Sequence, residues 1–327
     1  MHYKRGFIQI IVAIVVLLVA IGAFVAIVDP YQQYRQHEKY LGNQRLEIAG
    51  VARHHDYNAV ITGSSMAMNH YPSQVDSLWG GGWKSKNFSI MGATDDDYAV
   101  ILPYVISQGK VKHIILALDF FSFARQRGAV NEYLYNDNIR DDYEYLWNYT
   151  SLKNTIQFLL NPLAEKGLYH FNSPVGYHAL ADDYNKHKEK GYEEEHFDLN
   201  SIKERFDSSL YNTIKQSSKS VEWLIYFPPY SIGEFMIYDK SGVLNPILES
   251  KKYMIQKLEK LPNVKVYDFQ KQDLITRLDQ YMDLRHHSHA YNRNIMEYIH
   301  DDRYRATADG NSDEIKRLVI EYADSIK

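Results

Sequence analysis

The chain carries two serines at a position where a nucleophile could be presented. Ser64 and Ser65 lie in the stretch TGSSM (62–66), directly after a short apolar run. The glycine before them allows a tight turn from a strand into a helix, and the start of a helix is electropositive. A serine held there can act as a nucleophile if a base takes its proton. Serine and glycine are also typical of turns and helix caps, so this motif alone leaves both interpretations open.

A base of the right kind lies far downstream, in the stretch DLRHHSH (283–289). Asp283 precedes His286 by three residues. This spacing lets the carboxylate accept the Nδ1 proton and leaves Nε2 to act as a base. A serine hydroxyl needs such a base because it is almost wholly protonated at neutral pH. Together with Ser65, these residues predict a Ser-His-Asp triad.

Two other interpretations of the histidine-rich stretch stay open. His286, His287 and His289 could bind zinc together with Asp283, since imidazole and carboxylate groups are suitable ligands. Alternatively, the histidines cap a helix or lie on the surface. The HHD group (54–56) precedes the first predicted strand, and we interpret it as part of the surface.

Near-continuous apolar runs alternate with helical patterns from residue 57 onward. The predicted strands are 57–62, 86–90, 112–119, 221–227 and 264–269. The predicted helices are 43–53, 95–107, 202–218, 246–260 and 291–300. Apolar strands separated by helices indicate an α/β domain whose parallel sheet lies between helices. Ligands bind such sheets beyond the carboxyl ends of the strands, which is where the serine turn lies.

The N-terminal region contains an apolar run of 22 residues, 7–28, in which Gln9 is the only polar side chain. A helix of that length spans roughly 33 Å, enough for the hydrocarbon core of a bilayer. Lys4 and Arg5 precede the run, so the positive-inside rule predicts a cytoplasmic tail at 1–6 and an exported remainder. A cleaved signal peptide is the rival interpretation, but its apolar region would be shorter. The sequence therefore predicts a single-pass anchor in a bacterial cytoplasmic membrane.

A juxtamembrane neck at 29–56 and an α/β domain at 57–327 are predicted to follow the anchor. Residues 120–200 interrupt the alternation of strands and helices, are rich in tyrosine, and include a charged stretch at 182–198 that is typical of a solvated helix face. We interpret this interval as an insertion that forms a lid or side module. A tyrosine platform that stacks on a polysaccharide is the alternative.

The composition excludes several classes of protein. The chain has no cysteine, so it is not a disulfide scaffold, a thiolate zinc finger, an iron–sulfur protein or a cysteine hydrolase. Its 37 basic and 41 acidic side chains give a net charge of -4, which argues against nucleic acid as a partner. We expect neither a cofactor nor a resident metal.

A serine turn after the first strand, a glycine after the second and D-x-x-H after the last resemble the SGNH/GDSL hydrolase superfamily. The likeness covers most of residues 57–300, apart from the insertion, and implies a flavodoxin-like three-layer fold. It makes Ser65 the nucleophile, with GSS in place of the usual GDS, and makes Asp283 and His286 its partners. Gly92 matches the glycine whose backbone N–H, with that of Ser65, lines the oxyanion hole.

Within that superfamily the chain is most similar to membrane-anchored proteins of bacterial envelope modification. These include the protein D of teichoic-acid D-alanylation and the periplasmic alginate O-acetyltransferases. The matching features are the anchor, the GSS turn, a D-x-x-H-x-S ending that includes Ser288, and the Asp29-Pro30 pair after the anchor. The resemblance implies an envelope glycan or teichoic-acid-like acceptor. It also implies a membrane-bound O-acyltransferase as a partner, besides the bilayer around residues 7–28.

One position departs from the family pattern. Where the family has an oxyanion-binding asparagine, this chain has Asp119, and an ionised carboxylate only accepts hydrogen bonds. We expect Asp119 either to be protonated by burial or to point toward Arg125 or Arg127. Asp119, Ser64 and Tyr230 are candidate substrate-binding residues. Tyr230 belongs to the FPPYS loop, which is interpreted as a rigid loop or as a wall of the acyl pocket.

These features together predict an exported, membrane-anchored serine esterase or O-acyltransferase that acts on an envelope polymer. The acyl group, the acceptor and the choice between water and a hydroxyl as acceptor stay open. The main alternative is a non-catalytic subunit of the same fold, which binds glycan and organises an acylation complex. A zinc-dependent hydrolase is the third candidate.

Overall fold

The computed structural model describes residues 2–124, 130–164, 184–187 and 197–323. The chain forms two compact units, the first from residues 1–55 and 129–168, the second from 56–128 and 169–327. The neck and insertion boundaries inferred from the sequence stay predictions. Arg125, Arg127 and most of the charged stretch lie outside the described residues.

The second unit is built on a parallel sheet. In chain order the strands of the described residues are β1 (Lys39–Tyr40), β2 (Ala59–Gly63), β3 (Ser85–Asn87), β4 (His113–Ala117), β5 (Leu163–Ala164), β6 (Glu222–Phe227) and β7 (Val264–Asp268). Five of them pair in parallel in the order β3-β2-β4-β6-β7. The central strands are apolar and buried almost throughout, because helices flank the sheet. The predicted α/β class with a parallel sheet between helices is confirmed.

The order of the strands places a binding crevice at one strand. The chain passes from β2 to β3 on one side and then returns to β4 on the other side of β2. The carboxyl end of β2 is therefore a switch point in strand order, where open α/β sheets leave a crevice for a ligand. The serine turn follows β2 directly.

The helices of the second unit cover the sheet. They are Pro72–Trp79, Asp95–Ser107, Phe121–Ala124, Leu199–Phe206, Asn212–Gln216, Ile232–Lys240, Leu244–Leu258, Gln272–Ile275, His289–His300 and Ser312–Tyr322. The helix predicted at 202–218 is interrupted by a π-helical stretch, Asp207–Tyr211. The helix Ile232–Lys240 was not predicted, because seven of its nine residues are buried and it lacks the polar face that marks an amphipathic pattern.

The first unit contains the long N-terminal helix His2–Val28. Among the described residues it is the one helix long and apolar enough to cross a membrane, and an 18-residue stretch within it has a mean hydropathy of 3.4. Its other elements are the helices Gln44–His54, Asp142–Leu146 and Tyr149–Leu160, the short 3-10 helices Glu132–Leu134 and Ile139–Asp141, and the antiparallel pair β1–β5. The helix predicted at 43–53 is therefore present. The orientation of the N-terminal helix in a membrane stays a prediction.

A buried carboxylate shapes the chain where the N-terminal helix ends. Asp29 is fully buried and accepts backbone hydrogen bonds from Gln33 and Tyr34 at 2.8 Å and from Arg35 at 3.0 Å. The hydroxyl of Tyr145 donates a fourth, at 2.9 Å. A carboxylate with this many donors defines the turn that leads from the helix into the rest of the unit.

One surface prediction is wrong for one of its three residues. The HHD group (54–56) was interpreted as part of the surface, and Asp56 is exposed, but only 5% of His55 is accessible. Its Nε2 lies 2.7 Å from Oε1 of Gln32, a residue on the turn after the N-terminal helix. The hydrogen-bond partner makes burial of the imidazole possible, and that partner cannot be inferred from the local sequence.

Candidate active site

The serine turn follows β2 because a glycine allows the chain to leave the sheet there. Gly63 has a φ of +139°, which L-residues with a side chain rarely adopt. A Cβ at this position would lie 2.7 Å from the carbonyl oxygen of Ala117 on the neighbouring strand. The two central strands therefore approach closely at their carboxyl ends, and Ser64 and Ser65 begin the next turn at that edge.

The structure brings the three predicted triad residues together. The Oγ of Ser65 lies 2.9 Å from Nε2 of His286, and Nδ1 of the same ring lies 2.7 Å from Oδ2 of Asp283. The other carboxylate oxygen, Oδ1, accepts the backbone N–H groups of Arg285 at 2.8 Å and of His286 at 2.7 Å. One carboxylate thus orients both the imidazole ring and the backbone that carries it.

The electrostatics of this pair favour a proton on the ring. Burial acts to lower the pKa of His286, but the hydrogen bond and charge of Asp283 outweigh it and raise that pKa above its usual 6.5. Burial acts in the opposite sense on Asp283, yet the same hydrogen bond and charge lower the pKa of its carboxyl group. The aspartate therefore stabilises an imidazolium, the species that a general base becomes when it accepts a proton.

Backbone hydrogen bonds hold the loop that carries these residues. The amide of Met282 donates to the carbonyl of His286 at 2.8 Å, which closes the loop on itself. The amide and the hydroxyl of Ser231 both donate to the carbonyl of Leu284, at 3.0 and 2.7 Å. Ser288 then caps the helix His289–His300 by accepting from the amide of Tyr291. The histidine is thus presented from a fixed turn.

Asp119 forms a buried hydroxyl network beside the serine turn. Its two carboxylate oxygens accept hydrogen bonds from the hydroxyls of Ser64 and Tyr230. Burial raises the pKa of Asp119 to about 6, although the hydrogen bond from Ser64 and the charge of His286 act against this rise. Burial thus shifts the equilibrium of the carboxyl group toward its protonated form. The alternative partners Arg125 and Arg127 lie outside the described residues.

The predicted site residues other than Asp283 border one cavity of about 280 Å³. It is lined by Ser64, Ser65, Met66, Met91, Gly92, Ala93, Thr94, Asp119, Phe121, Ser122, Tyr230, Arg285 and His286. Gly92 follows β3 with a φ of +58°, a conformation that glycine adopts without strain. Its role in an oxyanion hole stays a prediction. Asp283 is not in the lining, because it lies behind the imidazole.

The sequence alone did not identify Arg285 as a residue of this site. Its guanidinium forms an ion pair with Glu234, which is fully buried, and its Cζ lies 4.1 Å from the centre of the Phe121 ring. The hydroxyl of Tyr238 donates to the same carboxylate. Arg285 lies between Asp283 and His286 in the sequence. This position is the feature of the sequence that could have indicated its place in the site.

The structure does not support the zinc interpretation of the histidine stretch. The described residues contain no group of three or more His, Asp or Glu side chains that could hold a metal ion. His287 is buried with its Nε2 3.0 Å from Oδ1 of Asn292, and the ring of His289 packs edge-on against Tyr71. Only His286 of the three histidines faces the cavity.

Comparisons with known proteins give little beyond this geometry. No protein-family model matches the chain, and no curated protein matches it in sequence. Among the solved structures that resemble it is one from Streptococcus pneumonia, described as a candidate platelet activating factor. The two share 11% sequence identity with a TM-score of 0.43, over 79% of this chain and 90% of the other. These comparisons assign no function.

Proposed function

We propose that the protein is a serine esterase or O-acyltransferase of the SGNH/GDSL type. The observation that carries this proposal is the continuous hydrogen-bonded chain from Ser65 through His286 to Asp283, at the mouth of a cavity. Nucleophile, base and orienting carboxylate are in contact, and that geometry is how such triads are recognised on unrelated folds.

In the proposed first step, Oγ of Ser65 attacks the carbonyl carbon of an ester while its proton passes to Nε2 of His286. The tetrahedral intermediate collapses, the C–O bond to the alcohol breaks, and His286 returns the proton to the departing oxygen. This leaves an acyl group on Ser65. Water or a second hydroxyl then attacks the acyl-enzyme by the same route, and Ser65 recovers its proton.

The oxyanion of each intermediate would be stabilised by the backbone amides of Ser65 and Gly92. Asp119 stands where the family has a third donor, and while ionised it only accepts hydrogen bonds. Losing one such donor typically costs about 10²–10³ in rate. Asp119 has a different use here, since it holds Ser64 and Tyr230 and thereby fixes the serine turn.

The size of the cavity favours a short acyl group. About 280 Å³ is at the lower limit for ligand pockets, which are roughly 300–1,000 Å³. Acetyl or another group of similar length, D-alanyl included, fits this volume better than a long chain. With a membrane-spanning N-terminal helix, the acceptor would be an envelope glycan or teichoic-acid-like polymer at the outer face of a bacterial membrane. A membrane-bound O-acyltransferase would be the partner that supplies the acyl group.

The test is covalent labelling of the full chain in detergent by a fluorophosphonate, with the modified residue identified by mass spectrometry. We expect labelling at Ser65 that is lost in Ser65→Ala and in His286→Ala. Ser64→Ala is the comparison variant: it removes the neighbouring hydroxyl and its hydrogen bond to Asp119 but no triad residue, so the label at Ser65 should persist, at a reduced rate. Hydrolysis of a small aryl ester should fall by about 10⁶ in Ser65→Ala, as in other triads. An unlabelled wild-type protein that also fails to cleave the ester would overturn the proposal.

A non-catalytic subunit is the second candidate, and the carboxylate of Asp119 in the cavity is the observation that favours it. Such a subunit would bind glycan in the same cavity without turning over an ester. Glycan binding measured by calorimetry would then be the same in wild type and Ser65→Ala, and no ester would be cleaved by either.

A further inference from the structure

The N-terminal helix is covered along its last third by other parts of the first unit. Residues 7–20 are exposed throughout, whereas Gly22 and Val25 are buried. The covering elements are the helices Asp142–Leu146 and Tyr149–Leu160, which both pack on the N-terminal helix. Contact begins deep in the apolar run.

Trp147 marks the level of that contact. Its indole Nε1 donates to the backbone carbonyl of Leu18 at 2.7 Å. Its ring also lies so close to Gly22 that a Cβ there would be 2.9 Å from the indole. Leu18 precedes the helix end at Val28 by ten residues, so the tryptophan reaches roughly 15 Å down the helix axis.

The exposed part of the apolar helix is too short for a bilayer. Residues 7–20 give a length of about 21 Å, against a hydrocarbon core of roughly 30 Å. The remaining 9 Å or so of the hydrocarbon core falls on residues 21–28, the part of the helix on which the two shorter helices pack. If the N-terminal helix spans the membrane, these helices must enter the lipid with it.

The outward face of the helix Tyr149–Leu160 has the composition that lipid requires. Its apolar side chains are exposed, by 80% at Tyr149, 48% at Ile156, 56% at Leu159 and 72% at Leu160. At 100° per residue they form one stripe about 100° wide, whereas the exposed Lys153 borders it and Thr150 and Gln157 lie further round on the polar side. The opposite face packs inward through Ser151, Thr155 and Phe158. The helix thus carries an apolar stripe that points away from its own unit.

Aromatic and basic residues occupy the level where lipid headgroups would begin. Tyr143 is 58% exposed, and tyrosine rings are enriched at membrane–water interfaces. The guanidinium of Arg35 donates to the carbonyl of Ala26 at 2.8 Å. It borders an open cavity of about 470 Å³ that Arg140 and Asp142 also line. Basic side chains close to a membrane surface are attracted to its anionic headgroups.

We propose that the helices Asp142–Leu146 and Tyr149–Leu160 form a membrane-embedded collar around the end of the N-terminal helix. The partner is the lipid of the leaflet at that end, with the stripe Tyr149–Leu160 in the acyl-chain region. The first unit is thus partly sunk in the bilayer. This proposal is independent of any catalytic activity.

Depth measurements on the full chain test the collar, and the absence of native cysteine makes them direct. Single cysteines at Ile156 and Leu160 on the stripe, and at Thr150 and Gln157 on the polar side, would carry a nitroxide label. The protein would be reconstituted in vesicles of phosphatidylcholine and phosphatidylglycerol, and relaxation by oxygen compared with relaxation by a water-soluble nickel complex. All four sites are exposed, so the label should leave the thermal unfolding midpoint unchanged.

The lipid collar predicts that labels at Ile156 and Leu160 are several-fold less accessible to nickel than those at Thr150 and Gln157, and more accessible to oxygen. Equal access of nickel to all four sites would place the unit above a thinned bilayer and overturn the proposal. Stripe labels shielded from both reagents would instead mean that a protein, such as a second copy of this chain, covers the stripe. That result also overturns it.

Discussion

His286 determines how the proposed chemistry depends on pH, because its Nε2 accepts the serine proton only when unprotonated. Burial lowers the pKa of this ring, but Asp283 outweighs burial and raises it above 6.5. We expect ester cleavage to fall as the pH drops through that raised pKa. Asp283→Asn should move this fall to lower pH and reduce kcat by about 10⁴. The pH profile of kcat/KM on a small aryl ester measures both effects, and an unmoved profile would show that Asp283 does not control the base.

Asp119 makes the stability of the fold, rather than the activity, depend on pH, because burial disfavours its charged form. Its pKa is raised to about 6 by burial, from 3.8 in an ordinary carboxyl group, so the folded protein holds a proton that the unfolded chain releases. Its contribution therefore becomes unfavourable as the pH rises between these values, by about 3 kcal/mol at pH 7.5. We expect Asp119→Asn to gain stability relative to wild type at pH 7.5 and less at pH 5. Urea unfolding at both pH values checks this, and a gap that does not change with pH would contradict it.

At the residue scale, the sequence predicted what short spacing determines and missed what the fold brings together. Asp283 and His286 were found because three residues of chain hold them in reach of each other. The serine turn was singled out because serines after a strand and a glycine are a local signal, and Ser65 was made the nucleophile by the family resemblance. The ion pair of Arg285 with Glu234 joins residues 51 positions apart, and nothing local marks either as a partner.

Among the secondary-structure elements, the end of β2 depends most on a single residue. Gly63→Ala would combine a φ of +139° with a Cβ 2.8 Å from that of Ala117, so we expect a loss of about 2–4 kcal/mol in the free energy of unfolding. Gly109→Ala is the matched control. It also has a positive φ, +70°, but open space around it, so about 1–2 kcal/mol is expected. Chemical denaturation of both variants measures the difference in the free energy of unfolding. Equal losses would contradict the prediction, because they would mean that the contact of the new Cβ with Ala117 adds no penalty to the strained φ.

Two buried histidines, His70 and His287, lie near the loop that carries His286. Burial lowers the pKa of both His70 and His287 to about 3, whereas each would have its usual 6.5 in the unfolded chain. The unfolded chain therefore takes up protons first, and stability falls as the pH drops below 6.5. Each ring contributes about 1.4 kcal/mol per pH unit until the folded pKa is reached.

The experiment is unfolding by urea at pH 7.5 and pH 5, for wild type and for His70→Gln. The glutamine keeps a polar group near the hydroxyl of Tyr226, which lies 2.7 Å from Nε2 of His70. We expect the change in stability from pH 7.5 to pH 5 to be about 2 kcal/mol more favourable in the variant than in wild type, because the neutral ring of His70 is removed. An identical drop in both proteins would mean that His70 is not kept neutral by the fold.

The strands were predictable because a buried parallel strand is one apolar run. Thus 221–227 and 264–269 correspond to β6 and β7 to within one residue at each end. The helix Ile232–Lys240 is also apolar, but buried on every side, and no periodicity separates such a helix from a strand. The apolar stripe of Tyr149–Leu160 could not be predicted from the sequence for another reason. Its importance depends on the helix beside it, which lies more than a hundred residues earlier in the chain.

On the scale of the whole molecule, each unit has its own packed interior, so damage to one should be local. Asp29→Ala removes the acceptor of three backbone N–H groups and of the Tyr145 hydroxyl. We expect amide hydrogen exchange to accelerate by about 10–100-fold in the described parts of 30–55 and 130–164, with no change in the strands of the second unit. Hydrogen-exchange mass spectrometry on the full chain measures the exchange rates in both units.

Tyr145→Phe is the matched control for that variant. It removes one of the four hydrogen bonds to Asp29 and keeps the ring, so exchange in the first unit should change by less than tenfold. A uniform acceleration across both units would contradict the independence of their interiors.

The hydrogen bond between Trp147 and the carbonyl of Leu18 can form only late in synthesis of the chain. The two residues are 129 positions apart, so the long helix is complete well before the indole that packs on it exists. At roughly 5–20 residues per second, this interval is on the order of ten seconds. During that time the segment that covers Gly22 and its neighbours has not yet been synthesised. A chaperone or the insertion machinery must therefore shield this part of the helix until Trp147 and the two collar helices have been made.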